Sequence, residues 1–65
     1  MKQYVIIKNG SKYSLKERIA HGFYGYGIFI SKDLNKVKTY AKNNNIEISA
    51  IGDIWEVTRE LNAQC

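Results

Sequence analysis

Few residues in this chain of 65 could perform catalysis. His21 is the only histidine, and Cys65, the only cysteine, lies at the last position, so we expect no Cys/His pair. Glu47 and Glu56 could act together as a general acid–base pair if they share the polar face of a hairpin. Carboxylates on such a wet face are usually only solvated. We therefore predict no catalytic residue and a protein that is not an enzyme.

Sites for cofactors, metals and membranes are not indicated either. The sequence has no G-x-x-x-x-G-K-[ST] string, which a phosphate-binding loop needs. A single cysteine forms no internal disulfide and builds no zinc site alone, which favours a reducing cytosol. No segment approaches the ~20 apolar residues of a membrane span, and the first residues lack the apolar stretch of a signal peptide. We predict no cofactor, no metal, no membrane contact and a cytoplasmic location.

The aromatic run HGFYGYGIFIS, residues 21–31, is the strongest candidate for a binding surface. We assign its four aromatic side chains to partner binding: Phe23, Tyr24, Tyr26 and Phe29. Exposed aromatic rings are typical anchors of protein interfaces, and they also stack on nucleic-acid bases. The glycines favour a bulge or the close approach of another backbone. One alternative places the two tyrosines in the core and leaves the two phenylalanines exposed on the reverse face.

The charges are divided unevenly along the chain. Residues 1–42 hold nine of the ten Lys and Arg and two of the six acids, a net charge of +7. Residues 43–65 hold one Arg and four acids, a net charge of −3. Such a field can steer a charged partner. Four lysines on a predicted helix complete the partner-binding set: Lys32, Lys36, Lys38 and Lys42.

Turn signals predict the element that precedes the aromatic run. Asn9-Gly10 suits a two-residue type I′ turn, so the segment QYVIIKNGSKYSL is expected to form a hairpin in which Ile6 pairs with Tyr13. One face of this hairpin is then apolar. A short helix over residues 15–21, with a Ser-x-x-Glu capping box, is the alternative.

A strand and a helix are expected next. Residues 23–30 are rich in β-branched and aromatic side chains, which favours a strand. The segment SKDLNKVKTYAKNNN is expected to be a helix capped by Ser31, with Asp33 in its first turn and asparagines at its end. Its apolar stripe comprises Leu34, Val37 and Ala41, flanked by Tyr40. The four lysines are expected on the opposite side of the helix.

The segment IEISAIGDIWEVTRE is predicted to be a second hairpin. Gly52-Asp53 suits a two-residue turn, and pairing outward from it separates an apolar face from a polar one. Trp55 falls on the apolar face and is expected to pack on the helix stripe. The last residues, 62–65, are expected to form a frayed tail.

These elements together predict an α+β fold in a single domain over residues 1–61. We expect a small, twisted, antiparallel sheet of about five strands, in the order β-β-β-α-β-β, with one helix packed across one face.

Two resemblances bear on function, one local and one that extends over most of the chain. GYGIFIS followed by KDLNKVKTYA resembles one stretch of ADP-ribosyltransferase-like domains, over about a quarter of the chain. The nicotinamide-site strand and the catalytic glutamate of those domains have no counterpart here. The segments YVIIKNGSKYSL, ISKDLNKVKTYAKNNN and IEI resemble small proteins of bacteriophages that infect Gram-positive hosts, over about two-thirds of the length.

The second resemblance implies a small basic viral protein that binds, and in some cases inhibits, a host or defence-system protein in the host cytosol. The alternative is a module that binds single-stranded or double-stranded nucleic acid through the lysine-rich helix face and exposed aromatic residues. The oligomeric state stays open.

Overall fold

A computed structural model describes residues 3–20 and 22–63 of the chain. Its elements are strands β1 (Gln3–Asn9), β2 (Lys12–Ala20), β3 (Phe23–Tyr24) and β4 (Phe29–Ser31), helix α1 (Leu34–Asn43), strand β5 (Ile48–Gly52) and helix α2 (Ile54–Ala63). The five strands form one sheet, and in the described residues every strand pair is antiparallel except β1 with β5. The predicted α+β class with a small antiparallel sheet of about five strands is confirmed, except that β1 and β5 pair in parallel.

β1 and β2 form the predicted first hairpin, with the turn one residue further along than expected. The two loop residues are Gly10-Ser11 rather than Asn9-Gly10. Gly10 has a φ of +64°, which the first loop position of a type II′ turn requires. Ile6 consequently pairs with Leu15, two residues beyond its expected partner. Because side chains alternate with a period of two, this shift keeps every residue on its predicted face.

β2 supports neighbours on both of its edges. It remains a strand to Ala20, so the alternative helix over residues 15–21 is wrong within the described part of that range. On the edge away from β1, β2 pairs with β4 near the turn and with β3 near its other end. The predicted strand over residues 23–30 is therefore two short strands, separated by a loop at residues 25–28.

α1 begins later than the sequence predicts and ends as predicted. Asp33, not Ser31, is the N-cap, and its carboxylate accepts a backbone N–H of the first turn at 2.9 Å. Asn45 adopts a φ of +56° after the last turn. The N–H of Ile46 then donates to the carbonyl oxygen of Ala41 at 2.8 Å, which closes a Schellman motif.

The second predicted hairpin is wrong, because after β5 the chain turns into α2 instead of back along the sheet. Asp53 caps this helix: its Oδ1 accepts the backbone N–H of Glu56 at 2.8 Å. Val57 and Leu61, four residues apart, form its buried stripe. α2 also includes the first half of the predicted frayed tail, 62–65, whose last two residues lie outside the described part.

Two buried clusters lie on opposite faces of the sheet, since successive residues of β1 point to opposite sides. The α1 cluster contains Ile6, Leu15, Val37 and Ala41. The α2 cluster contains Val5, Ile7, Ala50, Val57 and Leu61. α1 packs across one face as predicted, and α2 adds a layer on the other face, over β5 and β1. The candidate site lies beside α2 on that second face, over β2.

Candidate protein-interaction cleft

A cleft of about 360 Å³ opens on the α2 side of the sheet, over β2. Its floor is the first hairpin, including Ile7, Ser14 and Lys16. Ile7 and Ser14 are cross-strand partners, and Lys16 is two residues further along β2, so all three share this face. Residues 22–24 form one wall, and the first residues of α2 form the other.

A second cavity of about 260 Å³ adjoins the cleft and is lined by Gly22, Ile54, Trp55 and Thr58. The two cavities share Gly22 and Ile54 in their linings. Ile54 therefore stands between a larger, more polar space and a smaller, more apolar one. We refer to the two spaces together as the interaction cleft.

Three large apolar side chains around the interaction cleft are exposed. Phe23 is 69% exposed and Trp55 is 77% exposed, and Ile54 between them is 47% exposed. The prediction that Trp55 packs on the helix stripe is wrong, because the buried side of α2 carries Val57 and Leu61 instead. Trp55 projects outwards and becomes a candidate binding residue.

Tyr24 fixes the geometry of the cleft. Its ring is half-buried and packs against the α2 cluster. Its Oη lies 2.8 Å from Oγ1 of Thr58, within hydrogen-bonding distance. This bond ties β3 to the second turn of α2 and holds the two walls in place. Tyr24 is therefore a positioning residue of the cleft as well as part of its lining.

Tyr26 lies in the loop at residues 25–28 and is 95% exposed. The N–H of Gly25 donates to the carbonyl oxygen of Glu17 at 2.9 Å, and the N–H of Ile28 donates to that of Leu15 at 2.7 Å. The loop is thus tied to β2 on both sides of Tyr26. The arrangement in which both tyrosines share the core is wrong, because only Tyr24 packs there.

Phe29 belongs to the core on the opposite face. Its ring stacks on Tyr40 of α1, with centroids 4.5 Å apart and planes inclined by 8°. Both rings pack against the α1 cluster. The expectation of an exposed Phe29 is therefore wrong. It follows Leu15, its partner on β2, towards α1, because paired residues of neighbouring strands share a face.

The four predicted lysines are exposed on or next to α1: Lys32, Lys36, Lys38 and Lys42. Because α1 packs on the face opposite α2, these lysines lie on the other side of the sheet from the interaction cleft. The structure thus separates the predicted aromatic and basic residues into two surfaces. Two other lysines that the sequence did not single out border the cleft: Lys16 shares the face of Ile7, whereas Lys8 pairs with Tyr13 and so belongs to the α1 face.

The structure does not bring the candidate catalytic residues together. Glu47 precedes β5 and Glu56 follows it in α2, so they are separated by the length of that strand, roughly 16 Å. His21 and Cys65 lie outside the described residues. Within residues 3–20 and 22–63, no three His, Cys, Asp or Glu side chains gather where a metal ion could bind.

Asp53 is the titratable group of the cleft with a shifted pKa. The backbone N–H of Glu56, which donates to its carboxylate, is the main cause that holds the pKa of Asp53 below its ordinary value of 3.8. The positive charge of Arg59 lowers this pKa further. The carboxylate is therefore ionised at neutral pH and engaged as a helix cap.

Comparison with protein-family models, with curated proteins and with solved structures finds no match to this chain. Neither helix in the described part is long and apolar enough to cross a membrane. The function is therefore inferred from the geometry and chemistry of the two surfaces.

Proposed function

We propose that this chain is a non-enzymatic protein of bacteriophage type that binds a host or defence-system protein and inhibits it by covering part of its surface. The observation that carries the proposal is the exposure of Phe23, Ile54 and Trp55 around one concave site. A domain of this size has few apolar side chains to spare from its core. Aromatic residues that stay exposed beside a groove are typical anchors of protein interfaces.

The sequence resemblance to small phage proteins supports the cellular setting of this proposal. It covers the first hairpin, α1 and the residues that lead into β5, which belong to the sheet and its α1 face. The interaction cleft lies on the other face and depends on α2. The choice of partner is therefore attributed to α2 and to residues 22–24, and the shared scaffold to the remaining elements.

Trp55→Ala tests the proposal directly. The partner is first captured from host lysate with nuclease present, then purified, and its affinity for the variant is measured by calorimetry. We expect a loss of at least about tenfold, because buried aromatic anchors dominate interface energies. Tyr26→Ala is the matched control, since it removes an even more exposed ring outside the cleft. Loss of affinity in Tyr26→Ala with unchanged affinity in Trp55→Ala would contradict the proposal.

A second candidate function is the binding of nucleic-acid backbone by α1. The observation in its favour is that the lysines on the outer side of α1 are exposed, while the helix itself, Leu34–Asn43, contains no acid. The exposed aromatic residues of the cleft lie on the other face, so α1 would bind by charge alone. Four phosphate contacts would give a slope of log K against log salt of about −3 to −4. Replacing the four lysines with glutamine would remove this binding.

A further inference from the structure

The exposed residues of α1 are of one chemical kind. Six of its ten side chains are exposed, and each of them carries a hydrogen-bond donor: Asn35, Lys36, Lys38, Thr39, Lys42 and Asn43. None of the six is acidic or apolar. The exposed residues of α2 differ, since they include Ile54, Trp55 and two acids, Glu56 and Glu60. The outer side of α1 therefore suits a polar, negatively charged partner.

These donors form an ordered pattern along α1. Asn35, Thr39 and Asn43 recur at every fourth position, so they form one row along the outer side of the helix. At about 100° per residue, Lys36 lies on one side of this row and Lys42 on the other. The buried residues of α1 face the sheet, behind the row. We call the six exposed residues the α1 ridge, which has a crest of short polar side chains and ammonium groups on both flanks.

We infer that the α1 ridge docks in the major groove of duplex DNA. A helix with its side chains is about 10–12 Å across, and the major groove of B-form DNA is about 12 Å wide. When the crest faces the base pairs, the flanking lysines reach the phosphates of the two strands that border the groove. α2 packs on the other face of the sheet, so it does not obstruct this approach. The inference rests on the second candidate function, in which charge supplies the affinity, and it names the partner that fits the shape of α1.

Other negatively charged partners fit the α1 ridge less well. A single strand is held by the stacking of its bases on exposed rings, but Phe29 and Tyr40 beside the ridge are half-buried and stack on each other, with centroids 4.5 Å apart. An RNA duplex has a deep, narrow major groove that side chains cannot read. An acidic protein or a membrane would need apolar anchors, which the ridge lacks. Duplex DNA uses both the charge and the shape of the ridge.

Fluorescence anisotropy with labelled oligonucleotides of one sequence tests the inference. The probes are a DNA duplex of about 20 base pairs, which is roughly two helical turns, its single strand, and the corresponding RNA duplex. We expect the DNA duplex to bind at least about fivefold more tightly than either of the others. A second DNA duplex carries bulky groups at C5 of its pyrimidines, which fill the major groove, and it should bind at least about fivefold more weakly. Equal binding of the single strand, the RNA duplex or this blocked duplex would overturn the inference.

Paired substitutions locate the binding surface. Lys36→Gln with Lys42→Gln removes one charge from each flank of the ridge. Affinity for the DNA duplex should fall at least about tenfold, and the slope of log K against log salt should become shallower by about 1.8, at about 0.9 per contact. Lys12→Gln with Arg59→Gln is the matched control, because it removes two exposed charges from the cleft side of the sheet, and affinity should fall less than about threefold. Thermal melts check that each variant folds, and an equal fall in both pairs would overturn the inference.

The outcomes separate this inference from the proposed functions. If all the oligonucleotides bind alike and the pair at positions 36 and 42 weakens them all, α1 binds nucleic-acid backbone by charge and the docking in the groove is wrong. If none of them binds, the second candidate function is wrong as well. Displacement of the DNA duplex by polyglutamate would identify an acidic protein as the occupant, and displacement by phosphatidylserine vesicles would identify a membrane. Either displacement would overturn the inference. The test of Trp55→Ala concerns a protein partner on the other face, so its result is independent of this one.

Discussion

Trp55 and Leu61 lie on the same helix, and the structure predicts a small contribution to stability from Trp55 and a large one from Leu61. Leu61 is 1% exposed within the α2 cluster, whereas Trp55 is 77% exposed. Replacing a buried leucine with alanine costs about 2–5 kcal/mol, because the lost transfer energy and the remaining cavity add. Small domains have a total stability of about 5–15 kcal/mol, so Leu61→Ala should remove a large share of it.

The expected effect of Trp55→Ala follows from the small area that this side chain buries. Less than a quarter of its surface is covered, which for a side chain of about 250 Å² is about 60 Å² at most. At ~25 cal/mol per Å², this burial contributes no more than about 1.5 kcal/mol. Alanine favours the helix over tryptophan by about 0.5 kcal/mol, which offsets part of the loss. We expect a net change of about 1 kcal/mol or less.

Urea denaturation followed by far-UV circular dichroism measures both variants. Intrinsic fluorescence is unsuitable because Trp55 is the only tryptophan. Tyr26→Ala provides a reference for the loss of a fully exposed ring. A loss above about 3 kcal/mol for Trp55→Ala, or below about 1 kcal/mol for Leu61→Ala, would refute the packing of α2 described above.

The contribution of Asp53 to stability should depend on pH, because its pKa is lower in the folded state than the ordinary value of 3.8. This contribution is present at a pH above 3.8 and is lost as the pH falls through the pKa of the folded state. At pH 7 the wild-type protein should therefore have a higher melting temperature than Asp53→Asn. This difference in melting temperature should disappear at strongly acidic pH, and a difference that persists there would contradict the assignment. Asn45 has a φ of +56°, so its replacement by alanine should lower the free energy of unfolding by about 1 kcal/mol, whereas replacement by glycine should leave it unchanged. Urea denaturation measures both variants. A smaller loss with alanine than with glycine would argue against the left-handed turn. The stacked rings of Phe29 and Tyr40 should show a coupling of about 0.5–1.5 kcal/mol in a double-mutant cycle with leucine at both positions. Strictly additive losses would mean that the rings do not interact.

The spacing of apolar residues in the sequence was sufficient to predict which face of the first hairpin and of α1 is buried against the other. The alternation along the first hairpin placed Ile6 and Leu15 on the same face, and both are fully buried against α1. The predicted pairing of β1 with β2 was wrong by two residues, but a shift of two residues leaves each side chain on the same face, so the assignment of faces is correct. The helical spacing of Val37 and Ala41 likewise predicted the buried side of α1.

α2 was not predicted because its sequence satisfies two periods at once. Alternation around Gly52-Asp53 fits a hairpin, while Ile54, Val57 and Leu61 fit one side of a helix. The Asp-x-x-Glu pattern from Asp53 to Glu56 is a capping signal that could have favoured the helix. Contact with the sheet decides between the two, and that contact is not visible in a short window of sequence.

β1 carried a signal for a second covering layer. Val5, Ile6 and Ile7 are consecutive apolar residues, and all three are buried. A strand with one wet face alternates, whereas a strand covered on both faces has a continuous apolar run. The interaction cleft depends on that second layer, so Trp55 could not be identified as exposed before α2 was placed.

The parallel pairing of β1 with β5 has a consequence for how the chain acquires its structure. The pairing of β1 with β2 closes through a two-residue turn, but Val5 meets Ala50 only after most of the chain has been made. Closing that long loop is slow compared with closing the hairpin. During synthesis on a ribosome, the apolar side of the nascent hairpin that includes Ile7 therefore stays uncovered until α2 arrives. Because α1 precedes α2 in the chain, this is the face of the hairpin that stays uncovered longest, and it is the side of the sheet on which the finished domain retains its cleft.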